Sequence, residues 1–588
     1  LKKNNYFTCF QDAFSILYRV DKRPVIILAV ALLASVPVMP AELWLVKSLI
    51  DRIQVWTATD PVGQILVVAA WLGVIMLVSN IALGVQIPLA MTRLMELGTL
   101  EEQRMLLKKT SLLPIAAVES PEMKDLRERA LQISLYDIYS TGVQVLQMSL
   151  QLGILIAVML IFGQWIPVTA VMLAAVLLSV VSSKTSKSLE NLARIQTPDR
   201  RLLRHYAELM TERNGAKEIR LFGLGRLLTE RWTRILEQQS SETTKAVRSS
   251  ELRKIGPELL MALIGGLLLA LVVLMPGANK LTAGDFALLF MALTMLLSQL
   301  PDLIGQIVAM RKQYMKWEDF RAYLDLEEEN LTRADSLNSE ESLDSLQLQV
   351  SELSFRYPGA SRDTLSGVSF TIPPGCRAAL VGENGSGKST LIKLLLGLYP
   401  PNEGEIIWRG SKNGQVTKAM ATDGPISVVF QDFTRLYLNL RENVALGKLT
   451  AIGQDALLQS SLQSAGSSFS DLNIQFGAPF GGIEPSGGEW QKIATARAML
   501  RDANFVFFDE PTAALDPQAE KEAFELFLRV TKGRSALLVT HRLGAAKLAD
   551  LIIVMKDGRL VEQGTHDELM QRSGPYSHMF NLQASWYL

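Results

Sequence analysis

Two cysteines among 588 residues, Cys9 and Cys376, are too few and too far apart for a disulfide framework or a zinc site. Net charge is missing as well. The 59 Lys and Arg cancel the 59 Asp and Glu, which gives no support for a nucleic-acid partner. A secretory signal is not expected, because the first apolar stretch is too long and no convincing cleavage site follows it. What the chain does have is apolar surface, 48% of its residues, unevenly spread. Long apolar runs fill the first half, and the second half reads as a soluble α/β domain. A chain of this length splits into two or more domains.

Phe7, Phe10, Phe14 and Leu17 recur at helical spacing, which predicts an amphipathic helix up to Tyr18, lying in a membrane interface. Six stretches then have the character of membrane spans: Pro24–Ile50, Ile65–Leu89, Val143–Phe162, Trp165–Val181, Ile255–Met275 and Phe286–Met310. Only Gly163 and Gln164 separate the third and fourth, so those two form a tight hairpin. Lys and Arg cluster before the first span and in the second-to-third and fourth-to-fifth connections, as at Lys2, Lys3, Arg19, Lys108, Lys109, Arg200, Arg201 and Arg204. The short loops offer little beyond Arg52 and Lys280. Both termini, both long connections and both cysteines are therefore expected in the cytosol. Apolar spacing continues through the long connections, so they read as spans extending beyond the membrane. Two turns in them, Ser120–Arg129 and Lys217–Leu224, are placed to touch the second domain or to be solvated hairpins. The expected layout is a membrane domain over 1–326, an acidic, Ser-rich linker over 327–345, and a second domain over 346–588 that opens on the alternating strand Leu346–Val350.

The second domain is organised around Gly382-Glu-Asn-Gly-Ser-Gly-Lys-Ser389, a phosphate loop between the apolar run Ala378–Val381 and the helix-like Leu391–Leu396. Gly382, Glu383, Asn384, Gly385, Ser386 and Gly387 let backbone N–H groups curl round phosphate oxygens at a helix start, where Thr390 also lies. Lys388 is placed for the β- and γ-phosphates of ATP, and the Ser389 hydroxyl for Mg²⁺. Downstream, Phe505–Phe508 reads as a buried strand that delivers Asp509 towards Mg²⁺, through water, and Glu510 towards an attacking water.

With these motifs in this order, the chain resembles an ATP-binding cassette (ABC) exporter over essentially its whole length. The resemblance implies one half of a dimer with six transmembrane helices followed by an α/β P-loop cassette, and it implies a role for each matching residue. Tyr357 corresponds to the aromatic that stacks on adenine, and Gln431 to the glutamine that senses Mg²⁺ and meets the membrane domain. Ser486, Gly487 and Gly488 correspond to the signature that caps ATP held by the opposite subunit. Asp516 corresponds to the aspartate of the inter-subunit loop, and His541 to the switch histidine at the γ-phosphate. Pro485 and Glu489 depart from the usual Leu-Ser-Gly-Gly-Gln, and Ala514 stands where Ser is common. Glu489 would bring negative charge towards a polyphosphate, so its side chain is expected to point elsewhere. No residue of ATP hydrolysis is degraded, which implies two equivalent active sites in a homodimer; a heterodimer with a related half is the alternative.

Glu119–Ala130 and Gly488–Lys492 are similar to segments of bacterial exporters of ribosomal peptides, including lantibiotics. The cargo expected from that likeness is a peptide or amphipathic substrate crossing a bacterial cytoplasmic membrane; a lipid flippase or a drug exporter is the alternative. Some peptide exporters carry an N-terminal cysteine protease. None is expected here, because few residues precede the first span, and any leader is expected to be removed elsewhere. Glu42, Gln299, Asp302 and Gln306 are polar residues inside spans, which fits an acidic cavity facing the bundle interior or contacts between helices such as Glu42 with Lys47.

Overall fold

The computed structural model describes residues 6–56, 62–274, 282–329, 345–412, 415–419, 426–501, 503–510 and 517–585. The chain divides into two compact units, Leu1–Lys109 with Asp125–Leu326, and Thr110–Lys124 with Glu327–Leu588.

The regular elements described in the first unit are helices. Its elements are α1 (Tyr6–Val20), α2 (Lys22–Val55), α3 (Gly63–Leu112), α5 (Pro121–Ala130), α6 (Leu135–Ile161), α7 (Trp165–Ile195), α8 (Thr197–Thr211), α9 (Arg213–Leu221), α10 (Gly225–Leu274) and α11 (Ala283–Leu324). The short α4 (Ile115–Glu119), between α3 and α5, belongs to the second unit, as do the last residues of α3 from Thr110 and the first of α5 up to Lys124. Among the described residues, four helices are long and apolar enough to cross a membrane: α2, α6, the Val168–Ala193 part of α7, and α11. The expected second and fifth spans fall on α3 and α10, 50 residues each, where several side chains lie outside the described set. Prolines 37, 40, 88 and 301 sit inside these helices. Membrane helices tolerate such breaks because neighbouring groups re-satisfy the backbone.

Apolar side chains of α2, α6, α7 and α11 interlock around Leu43, Leu155, Val171, Ala292 and Leu296. Polar glue is sparse and specific. Tyr139 donates to the Val25 carbonyl at 2.8 Å, and Gln147 donates to Ser35 Oγ at 2.7 Å. Lys47 ties α2 to α11 through Asp285, 2.6 Å away, and also meets Asp51 at 3.1 Å. Lys47 thus meets two aspartates, whereas the contact expected as the alternative to an acidic cavity is with Glu42, and Asp285 is pre-set by its own capping box with Thr282. On α1 the buried stripe is Cys9, Ala13 and Leu17, while Phe7 and Phe14 stay exposed. An amphipathic helix in an interface shows this division, with a second apolar stripe facing away from the bundle.

The cassette holds two sheets. β1 (Ser345–Phe355), β2 (Leu365–Ile372), β4 (Glu403–Lys412) and β5 (Gln415–Ala419) form an antiparallel sheet in the order β2-β1-β4-β5. The second sheet joins β3 (Arg377–Gly382), β6 (Ile426–Val429), β7 (Phe505–Asp509), β8 (Ser535–Val539), β9 (Leu551–Lys556) and β10 (Arg559–Gly564). Its order is β10-β9-β3-β8-β7-β6, parallel except for the edge strand β10. Near-continuous apolar sequence in β3, β7 and β8 is what strands covered on both faces require. Trp408, Phe505 and Phe507 pack between the sheets with ring centroids 4.8–6.2 Å apart. The helices are α12 (Lys388–Leu395), α13 (Leu440–Ala445), α14 (Asp455–Ser464), α15 (Gly487–Leu500), α16 (Pro517–Val530), α17 (Leu543–Ala546), α18 (His566–Gln571) and α19 (Pro575–Ala584). Helices α13–α15 close over a separate core around Leu458, Phe476, Trp490 and Ile493.

Candidate nucleotide site

The phosphate loop leaves β3 at Gly382 and enters α12 at Lys388. Gly387 has φ +98°, and a Cβ there would come within 2.7 Å of the Leu365 side chain. At Gly382 a Cβ would lie 2.3 Å from the Met555 carbonyl oxygen. Neither position admits a side chain, so both glycines are fixed by geometry. Lys388 is buried and donates to the carbonyls of Gly382, at 2.9 Å, and Glu383, at 3.1 Å. Burial lowers its pKa, against the pull of Glu510 and Asp509 nearby.

Strand β7 brings Asp509 and Glu510 to the same place. Asp509 is buried, its Oδ1 finds no hydrogen-bond partner among the described residues, and burial raises its pKa to about 6. An orphaned, desolvated carboxylate oxygen is what a cation or its water shell would satisfy. Glu510 adopts φ +44°, strained for a residue with a Cβ, and its N–H donates to the Val539 carbonyl at 3.0 Å. Its Oε2 accepts from Gln431 Nε2 at 3.2 Å and lies 3.5 Å from His541 Nδ1. Gln431, Asp509, Glu510 and His541 are thereby gathered from the ends of parallel strands, beside the phosphate loop. Gly382, Glu383, Asn384 and His541 share the lining of a cavity of about 480 Å³ with Leu543 and Gln583.

Tyr357 sets its ring edge-on to Phe355 and Tyr399, at 5.0 and 5.4 Å, and its hydroxyl lies 3.2 Å from Thr390 Oγ1. Lys393 Nζ sits over that ring at 5.9 Å. Ser486 caps α15 by accepting from the Glu489 N–H, and Gly487 is exposed beside it. This segment rests on the separate α13–α15 core. The Glu489 carboxylate is engaged by Ser467 Oγ at 3.1 Å, the Ser468 N–H at 3.3 Å and Lys492 at 3.1 Å. These partners hold its charge within the helical layer, which answers the objection raised by the unusual signature. Asp516 lies outside the described residues.

Two features escape a reading of the sequence. Gln583 on α19 donates to the His541 carbonyl and accepts from the Leu543 N–H, both at 2.7 Å, so it clasps the loop that carries His541. Within the second unit, Glu119 of α4 accepts from the Tyr399 hydroxyl and from Lys393 at 3.1 Å, which lowers its pKa. No local motif marks either group; both depend on residues far apart in sequence.

The ABC transporter family profile matches residues 365–513. An ATP-dependent lipid A-core flippase of Xanthomonas oryzae is 30% identical over 452 residues, covering 75% of this chain and 74% of that protein. This chain belongs to the ABC transporter family. A subtilin transport ATP-binding protein of Bacillus subtilis is 29% identical to this ABC transporter over 487 residues, covering 80% of this chain and 78% of that one. A solved bacterial Atm1-family ABC exporter with ATP bound superposes with a TM-score of 0.77 at 21% identity, covering 96% of this chain and 99% of that one. The transporter therefore has the ABC exporter fold, is a membrane protein that binds ATP, and couples ATP hydrolysis to export.

Proposed function

We propose that this ABC exporter is a homodimer that moves a modified ribosomal peptide out across a bacterial cytoplasmic membrane. The likeness to the subtilin transport protein over four fifths of the chain carries this reading of the cargo. Asp302 supports it. This exposed carboxylate inside the α11 span would be costly against lipid, and a water-filled path for a cationic peptide suits it better. Gln299, three residues earlier, has a buried Oε1 with no partner among the described residues. Leu221, the last residue of α9, and Phe222 after it are 78% and 65% exposed, a pattern suited to burial against a second copy.

In this reading Lys388 turns from its loop carbonyls to the β- and γ-phosphates, and Tyr357 stacks on adenine. Glu510 orients and deprotonates the attacking water, and His541 contacts the γ-phosphate. Ser486, Gly487 and Gly488 cap the ATP of the partner subunit, and Asp516 faces it. Ser389, Gln431 and Asp509 form a donor set that fits Mg²⁺, with the orphaned Asp509 oxygen as the supporting observation. Bound there, Mg²⁺ would neutralise charge on the phosphates.

Gln583 acts in this scheme by holding His541 in place. Gln583→Met removes both clasping hydrogen bonds, and we expect kcat to fall about tenfold or more with KM for ATP nearly unchanged. In a His541→Ala background the same substitution should cost nothing further. Losses that simply multiply would show that Gln583 serves general stability.

Mass spectrometry of producing cells tests the cargo, comparing wild type with Glu510→Gln. Intracellular accumulation of one modified peptide, with its loss from the medium, is the expected result. An unchanged peptide profile with altered leaflet lipids would favour the second reading, a lipid flippase, which the Xanthomonas oryzae relative supports.

A further inference from the structure

Where α2 begins beside α3, a cavity of about 390 Å³ opens between the two helices, lined by Asp21, Arg23, Ile27, Leu89, Ala90 and Arg93 among others. The lining has a layered order that follows from antiparallel helices. Arg23 near the start of α2 and Arg93 on α3 stand at one level. One turn deeper on each helix come Ile27 and Leu89, four residues away and about 6 Å further along the axis. Ala90 is buried at the floor, and Ile27 and Leu89 are exposed.

The level matters. Arg93 lies thirty residues along α3 from Gly63, about 45 Å at the rise of an α-helix. That is the thickness of a bilayer with its headgroup regions, about 40–45 Å. If Lys and Arg mark the cytosolic side, as read from the loops, the arginines stand at the inner headgroup layer and the apolar pair at the first acyl carbons. Charge favours an anion. Asp21 accepts from Arg93 Nε at 3.0 Å and lies 3.0 Å from its NH2, which fixes that guanidinium while leaving it largely exposed. The Arg23 side chain has no hydrogen bond or ion pair among the described residues, so the lining carries one positive charge in excess.

We propose that this cavity binds the headgroup of an anionic phospholipid of the inner leaflet, phosphate between Arg23 and Arg93 and acyl chains along Ile27 and Leu89. The site rests on the membrane orientation read above and is independent of which cargo is exported. Two arginines one turn above two apolar side chains match the order of groups in a phospholipid, and a soluble phosphate would use only the upper layer.

Native mass spectrometry of the full chain, released from nanodiscs of mixed phosphatidylglycerol and phosphatidylcholine, tests the proposal. Wild type should retain phosphatidylglycerol preferentially. Arg23→Gln breaks no ion pair and should fold normally; it is expected to weaken that retention about fivefold, and Arg23→Gln with Arg93→Gln about 25-fold. Equal retention of both lipids overturns the proposal, as does a preference that both variants keep. Displacement of phosphatidylglycerol by millimolar inorganic phosphate would assign the arginines to a soluble anion and overturn it too. ATP binding serves as the orientation-independent check on folding. Cleavage at these arginines by a protease added outside intact cells would place them at the outer leaflet and overturn the inner-leaflet assignment.

Discussion

Glu510→Gln should lower ATP turnover by about 10²–10⁴-fold while leaving ATP bound, because the site loses its base and keeps its shape. That corresponds to about 3–5 kcal/mol of transition-state stabilisation. The amide retains the length of Glu510 and can still accept from Gln431, now 3.2 Å away, so the strained φ of +44° and the N–H bond to Val539 persist. What disappears is the negative charge beside His541 and Lys388. ATP hydrolysis by purified chain, measured together with retained nucleotide, separates these effects. Slow turnover with ATP trapped is the expected pattern. Turnover at the wild-type rate would remove Glu510 from the role of base, and loss of ATP binding would mean that its charge shapes the pocket.

The largest stability effect is expected at Phe507. Its ring is fully buried, 4.8 Å from Phe505 and 6.2 Å from Trp408, two residues ahead of Asp509 on β7. Phe507→Ala should cost about 3–5 kcal/mol, from lost burial and from a cavity between two sheets that cannot both close over it. Amide exchange on the full chain reads this locally. Protection in β3, β7 and β8 should fall by about 10² or more, with α2 and α6 unaffected. Phe507→Leu, which fills most of the volume, should fall well short of that. Protection unchanged in Phe507→Ala would mean that the inter-sheet aromatics do not hold the cassette together. Because β7 delivers both acidic residues, the same variant should lose ATP turnover before it loses secondary structure.

The cassette's chemistry was legible because it is local. A glycine-rich turn between an apolar strand and a helix, or an acidic pair after four apolar residues, is a short-range pattern that backbone geometry itself demands. The long membrane helices were legible for a related reason, since lipid imposes length and composition on each one separately. At α1 the helix was readable but its inward stripe was not. Phe7 and Phe14 share helical spacing with Leu17, yet Cys9 and Ala13 join Leu17 inside, because small residues let α1 approach its neighbours closely.

By itself, then, the sequence determined the phosphate loop, the acidic strand end, the order of the cassette motifs and the existence of a helical membrane half. Tertiary structure alone decided the partners. Lys47 found Asp285 rather than Glu42, Glu489 found Ser467 and Lys492, Glu119 found Tyr399, and Gln583 found the backbone on either side of His541. Each pairing except Lys492 spans many residues, and periodicity carries no information about which of several polar side chains will meet across a packed interface. That choice follows from the burial of surrounding apolar surface, which fixes the backbones first and leaves each polar group to satisfy itself with whatever lies in reach.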